Sequence, residues 1–222
     1  MKNYRKIPSS FEIMMDKFIA FEKYDGTCLV AEHDLENPKN FMYGTRSDSP
    51  LHDYFFKNEF SDIHPEIKWA GDYIWEYLKN YGDLILTRLQ NCNLNHYDNV
   101  RFVFEYFGKD SFAGQHNPRS NHDVVLIDLI LLENQEEKIL ETYLSPDIFV
   151  DVARDCQSAR VIYQGKFNGS FVEDVRKGKF DVVEGVVCKG YGKYQSVCKV
   201  KTNSYMEKLK NHFKDDWKGY WE

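Results

Sequence analysis

Four short stretches combine lysines and carboxylates with glycine or apolar neighbours: Lys23-Tyr24-Asp25-Gly26, Phe104-Glu105-Tyr106-Phe107-Gly108, Val183-Glu184-Gly185-Val186-Val187 and Lys199-Val200-Lys201. A neutral lysine amine is a nucleophile, and carboxylate and ammonium groups orient or neutralise charge at a reacting centre. Each stretch alone also has a plain structural reading. Lys23 is equally a surface lysine before a hairpin turn. Glu105 lies in an apolar run, where an unpaired charge is costly, although period-2 alternation can also turn it to water. Glu184 repeats that pattern, followed by a glycine that lets a ligand or a backbone approach closely. Lys199 and Lys201, two apart, place two cations on one face of a strand.

The elements that must position these residues follow from apolar periodicity. Asp16 to Val30 reads as two β-prone runs joined at Asp25-Gly26, a pair that tolerates positive φ in a tight turn. Glu66 to Tyr81 repeats apolar groups at helical spacing and stops at Gly82, a plausible C′ residue. Arg101–Gly108 and Asp123–Leu132 are short, strongly apolar runs with β-branched and aromatic residues, which predicts buried strands. Ser145-Pro146 predicts an N-cap and first-turn proline for a helix through about Cys156, and Ser170 opens a shorter one that Gly178 closes. Residues 180–189 and 195–201 predict a strand hairpin around Gly190–Lys193. Beyond it Tyr205, Leu209, Phe213 and Trp217 mark one face of a C-terminal helix over about 203–218.

Composition bounds the function classes. Hydrophobic residues make up 42% of 222 residues, with 16 Phe and 15 Tyr, too rich in large apolar groups for a disordered chain. A net charge of −6 supplies no global positive field, so any nucleic-acid contact is local. Five scattered cysteines without a Cys-x-x-Cys pair suggest neither a disulfide framework nor a zinc site. A polar N-terminus and the lack of a long apolar run predict a cytoplasmic, reducing compartment and no membrane partner. His116 and His122 flank a loop without acids or cysteines at ligand spacing, and read as polar loop residues. Trp217 and Trp221 read as the docking side chains of a terminal helix. No repeat or linker interrupts the chain, so 1–222 is expected to form one α+β domain.

Taken in order, Lys-x-Asp-Gly, Phe-Glu-Tyr-Phe-Gly, Glu-Gly-Val-Val and Lys-x-Lys resemble motifs I, III, IV and V of covalent nucleotidyltransferases, the superfamily of ATP-dependent ligases and GTP-dependent capping enzymes. The connecting text SFAGQHN before DVVLIDL, then VIYQGKFNGSFVEDVRKGKFDVVEGVVCKG and VCKVKTNSYMEKLK, resembles phage-type ATP-dependent RNA ligase domains, from about Phe18 to Leu209. The resemblance implies a nucleotidyltransferase (adenylation) domain of antiparallel sheets flanked by helices. One position departs from it: such ligases often carry an aromatic before the acid of DVVLIDL, and here that place holds Ile127. Tyr106 and Phe107 are alternative residues for stacking on adenine.

The resemblance implies the roles. Lys23 attacks the α-phosphorus of ATP and forms lysyl-AMP, and for this an ammonium with an ordinary pKa of about 10.4 must give up its proton. Burial and the cations of Lys199 and Lys201 favour that loss, and the same two lysines hold the α-phosphate. Glu105 accepts hydrogen bonds from the ribose. Glu184 orients a hydrated Mg²⁺ (or Mn²⁺) or Lys23 itself. Gly26 keeps the turn open for the nucleotide, and Glu22 joins the nucleotide contacts. Arg46, in Gly44-Thr45-Arg46-Ser47, resembles the next ligase element and is a candidate for ribose or phosphate contact, against a plain solvated arginine.

The residues after Lys201 are too few for the OB-fold of DNA ligases and capping enzymes, so no OB-fold and no motif VI are expected, and a minimal RNA ligase is favoured. ATP is expected rather than NAD, because the N-terminal domain associated with NAD-dependent ligases is missing ahead of motif I. The partners implied are RNA with 5′-phosphate and 3′-OH ends, and a protein supplying a specificity domain is a further option. The alternatives are a minimal DNA or mixed-strand ligase, and an adenylate-binding or adenylated accessory protein without strand joining.

Overall fold

A computed structural model of the chain describes residues 4–9, 15–34, 41–47, 51–53, 65–92, 94, 97–108, 122–136, 138–191 and 196–217. In chain order the elements are β1 (Phe18–Lys23), β2 (Thr27–Asp34), β3 (Phe41–Thr45), β4 (His52–Asp53), α1 (Pro65–Asn91), β5 (Asn99–Phe107), β6 (Asp123–Gln135), β7 (Lys138–Tyr143), α2 (Pro146–Val152), β8 (Val161–Gly165), α3 (Gly169–Arg176), β9 (Gly185–Gly190), β10 (Val197–Lys201) and α4 (Asn203–Phe213), followed by a 3₁₀ turn (Lys214–Trp217). The architecture is α+β with two antiparallel sheets. Two compact units divide it: one holds Gly26–Leu144 with residues up to Arg5 and Ile148–Ser158, the other Lys6–Asp25, Ser145–Asp147 and Ala159 onward.

The first unit is a six-stranded sheet in the order β4-β3-β2-β5-β6-β7, with α1 packed on β3 and β6. Trp75 stacks on Phe41 and the Tyr77 ring meets the Phe104 ring edge-on. β5 is buried on both faces, which is why its sequence reads as a continuous apolar run. On its other face Arg101 donates from Nε to Glu32 at 2.8 Å and from Nη1 to Glu141, so the buried guanidinium is paired. Tyr4 donates its hydroxyl to the fully buried Asp128 at 2.9 Å, and burial pushes that phenol well above its ordinary value.

The second unit is a four-stranded sheet in the order β10-β9-β1-β8. One face carries Phe18, Ala20, Val186, Cys188, Cys198 and Val200, and Phe171 and Val175 of α3 pack into the same core. Phe18 is fully buried among Tyr163, Phe167 and Phe171, with ring centroids 4.9–5.6 Å away. Truncating such a residue to alanine typically costs about 3–5 kcal/mol.

Several sequence expectations change. β1 and β2 do not form a hairpin: β1 pairs with β8 and β9, and β2 with β3 and β5. α1 runs through Gly82 to Asn91, because Ile85 and Leu89 continue the buried stripe and outweigh the modest helical penalty of one glycine. The helix after Ser145 ends at Val152, short of Cys156. α3 is capped by Asn168, whose side chain accepts from the Phe171 N–H, rather than by Ser170, while Gly178 takes the positive φ expected of it. Residues 180–184 are bends, and the strand begins at Gly185. β9 and β10 pair antiparallel as expected, with part of their turn outside the described residues. None of the five cysteines is in a disulfide, and no described helix is long and apolar enough to cross a membrane.

Candidate active site

The second unit gathers four of the predicted residues. Lys23, Gly185 and Lys201 form one row across β1, β9 and β10, and Phe21, Val187 and Lys199 form the next row on the same face. Opposed residues of an antiparallel sheet share a face, so this one is opposite the core packed by α3. A carboxylate lies between the two lysines of the first row. It belongs to Glu184, with Oε2 2.9 Å from Lys23 Nζ and Oε1 3.4 Å from Lys201 Nζ.

The local backbone explains how Glu184 reaches both. Strict alternation would send residue 184 to the face opposite residue 185, but Gly185 has φ 151°, a conformation side-chain-bearing residues rarely adopt. A Cβ there would lie 2.1 Å from the Val200 carbonyl oxygen. The glycine is thus required both by its φ and by close approach of β10, rather than by room for a ligand.

Burial and charge give the cluster its chemistry. The Glu184 side chain is only 3% exposed, whereas the Lys23 side chain keeps 22%, so the carboxylate is enclosed while the lysine remains partly exposed. An enclosed carboxylate needs compensation, and two ammonium groups supply it. Lys199 is pushed down to about 8, first by burial and then by the cations of Lys201, Lys23 and Lys6. Lys201 is also lowered, chiefly by burial, against the opposing pull of Glu184. Three lysines around one carboxylate make a surface that favours an anion, and burial lowers the proton affinity of Lys199 and Lys201 within it.

The neighbouring contacts hold this cluster. Glu22, buried at the end of β1, accepts from Arg160 Nε at 3.1 Å, and Arg160 Nη2 also donates to the Asp181 carbonyl. Asp25 accepts from the Tyr205 hydroxyl at 2.9 Å. Lys189 is a fourth lysine on the same face, buried, with Nζ 5.3 Å from the centre of the Phe21 ring. Lys189 was legible by counting in twos from Gly185. The pairings of Arg160 with Glu22 and of Tyr205 with Asp25 carry no sequence signal, since the partners lie 138 and 180 residues apart.

The remaining predicted residues belong to the first unit. Glu105 is buried on β5, paired across the sheet with Cys28 of β2 and Val125 of β6. Arg46 follows β3 in a turn and donates its backbone N–H to the Cys28 carbonyl at 3.2 Å, so Glu105 and Arg46 flank one residue of β2. Gly26 does not take positive φ, and a Cβ there would lie 2.2 Å from the Tyr106 carbonyl oxygen. Close packing against β5 therefore requires that glycine. Tyr106 is on the face toward α1, with its ring 5.7 Å from that of Tyr73 and its hydroxyl bonded to His122. Phe107 alternates back to the Glu105 side of β5. Ile127 is the extra residue of a β-bulge, since Phe104 pairs with Leu126 and Val103 with Asp128. His116 and Trp221 lie outside the described residues.

No protein-family model matches the chain, and no curated protein matches it. Among solved structures it is similar to RNA ligase of Naegleria gruberi. A variant bound to AMP and manganese aligns with TM-score 0.57 and 13% identity over 92% of this chain and 57% of that one. A variant with ATP and manganese gives 0.58 and 13% over 96% and 59%, and an apo variant 0.57 and 15% over 92% and 57%. At these identities the likeness is one of fold. The chain spans less than two thirds of the length of the ligases it matches.

Proposed function

We propose that the chain is an ATP-dependent RNA ligase that forms lysyl-AMP on Lys23, passes AMP to an RNA 5′-phosphate and joins that end to a 3′-OH. The observation that carries this reading is the Lys23 amine held 2.9 Å from Glu184, on one sheet face with Lys199 and Lys201. The likeness of fold to ligases solved with ATP, AMP and manganese supports it.

In the first step the Lys23 amine, having released a proton to solvent, gives its lone pair to the α-phosphorus of ATP. The bond to the bridging oxygen breaks, pyrophosphate leaves with the electron pair, and the nitrogen sheds a second proton as the phosphoramidate forms. Glu184 aims the nitrogen through its hydrogen bond, and Lys199 and Lys201 hold the α-phosphate and offset its charge. A 5′-phosphate oxygen of RNA then attacks the AMP phosphorus, releasing Lys23 and forming A(5′)pp(5′)RNA. Attack of a 3′-OH on the RNA phosphorus expels AMP. Glu22, Gly26, Glu105 and Arg46 keep the nucleotide-contact roles that motif order gives them.

Among the described residues no three His, Cys, Asp or Glu side chains come together as a metal cage. Magnesium does not need one, since it retains several waters and takes one or two carboxylates plus substrate phosphates, and Glu184 fits that donor set. When bound with ATP, the ion supplies charge neutralisation on the phosphates.

The test is covalent labelling of the purified chain with α-labelled ATP or GTP and Mg²⁺. ATP label is expected on the wild type, falling to background in Lys23→Ala. Label retained by Lys23→Ala overturns the mechanism, and label from GTP alone turns the reading toward capping. Sealing assays on all-RNA, all-DNA and mixed nicks then separate RNA ligase from the DNA alternative.

A further inference from the structure

The first turn of α4 touches all three motif segments that form the lysine cluster. Thr202 follows Lys201 directly, and its N–H donates to the Glu184 carbonyl at 2.9 Å. Its hydroxyl donates to the Val183 carbonyl at 3.0 Å and accepts from the Tyr205 N–H at 3.2 Å, capping the helix. Tyr205, almost fully buried, donates its own hydroxyl to Asp25 Oδ1 at 2.9 Å. The Tyr205 ring also lies under Lys201, with Nζ 5.3 Å from its centre. One helical turn is therefore tied to the segment just after Lys23, to the backbone of Glu184 and to the side chain of Lys201.

We infer that Tyr205 is a positioning residue for the lysine adenylation step, acting through Asp25. This rests on the reading of Lys23 as the nucleophile. A buried phenol that donates to a buried carboxylate fixes the direction of that carboxylate, since neither partner can turn to water without losing the bond. Asp25 stands two residues after Lys23, so the bond anchors the backbone from which the amine projects. The ring serves a second purpose, because a cation over an aromatic face is held in place without its charge being neutralised. The ring thus restricts the position of Lys201 beside Glu184. Displacement of a reacting group by about 1 Å can cost on the order of 100-fold in rate, so loss of one such anchor should be felt in chemistry before binding.

The experiment measures single-turnover adenylation of Lys23 across ATP concentration, in Tyr205→Phe, Asp25→Ala and the double variant, with folding checked by circular dichroism. Tyr205→Phe keeps the ring and its burial and removes only the hydroxyl. The expected result is a maximal rate per folded molecule lowered about tenfold or more, with the ATP concentration for half-maximal rate changed by less than about twofold. In the Asp25→Ala background the same substitution should cost nothing further, because the pair acts as a unit. A purely structural role would lower the amount of folded protein and leave the rate per folded molecule unchanged. A Tyr205→Phe rate within about twofold of wild type, or full additivity with Asp25→Ala, overturns the inference while leaving the nucleophile in place. Should Tyr205→Phe not fold, Asp25→Asn serves instead: it keeps the Oδ1 acceptor, so a maximal rate nearer wild type than that of Asp25→Ala is expected, and equal loss in both overturns the inference. Absence of label on the wild type overturns the functional reading and this inference with it.

Discussion

Lys199 holds its proton less tightly than an ordinary lysine because folding buries it beside Lys201, Lys23 and Lys6, bringing it from 10.5 down to about 8. Between about pH 8 and 10.5 the unfolded chain therefore binds more protons at this residue than the folded one, and the contribution of Lys199 to stability rises with pH across that window. Below pH 8 both states carry the charge and the folded state bears the full penalty. Lys201 is lowered too and adds in the same direction. Lys199→Met should accordingly be more stable than wild type at pH 7 and show a flatter change from pH 8 to 10 in urea midpoints, while losing adenylation. The cations themselves were legible: two lysines spaced by one residue in a β-prone run share a face whatever the fold. That Glu184 would sit between Lys23 and Lys201 was not, because alternation along 183–187 puts it on the face opposite Gly185.

Gly185 resolves that conflict at the scale of the strand. Its φ of 151° and the 2.1 Å approach of the Val200 oxygen to a Cβ there predict that Gly185→Ala loses about 3 kcal/mol or more, read as a shift of the urea midpoint. Gly169→Ala is the control. Nothing lies within 4 Å of a Cβ there, and at the first position of α3 it should be neutral or stabilising by about 0.5–1 kcal/mol. Elements whose apolar pattern was unambiguous, β5, β6 and β10, stand close to where periodicity placed them, whereas β9 begins five residues later than its apolar run. Elements defined by punctuation did worse. Gly82 was overridden by Ile85 and Leu89, and the bulge at Ile127 inverts the alternation by which a stacking residue would be sought. Local signals fail where packing against a distant strand decides the outcome.

Over the whole molecule the two sheets differ in how far apart in sequence their partners lie. Strands β2 to β7 all come from residues 27–143, whereas β1 pairs Phe18 with Gly165 and Lys23 with Gly185. Closing longer loops costs more entropy and slows folding. In pulse-labelled refolding, amides of β2 and β5 should gain protection before those of β1; simultaneous protection would show that the chain folds as one cooperative unit. The N-terminal strand cannot announce this in sequence, because its partners arrive so late. The same separation bears on biosynthesis. Lys23 leaves the ribosome early, yet Glu184, Lys199 and Lys201 emerge more than a hundred residues later. A nascent or truncated chain thus carries Lys23 without the residues that surround it in the fold, and on the proposed function adenylation of Lys23 should be undetectable in chains ending before residue 201.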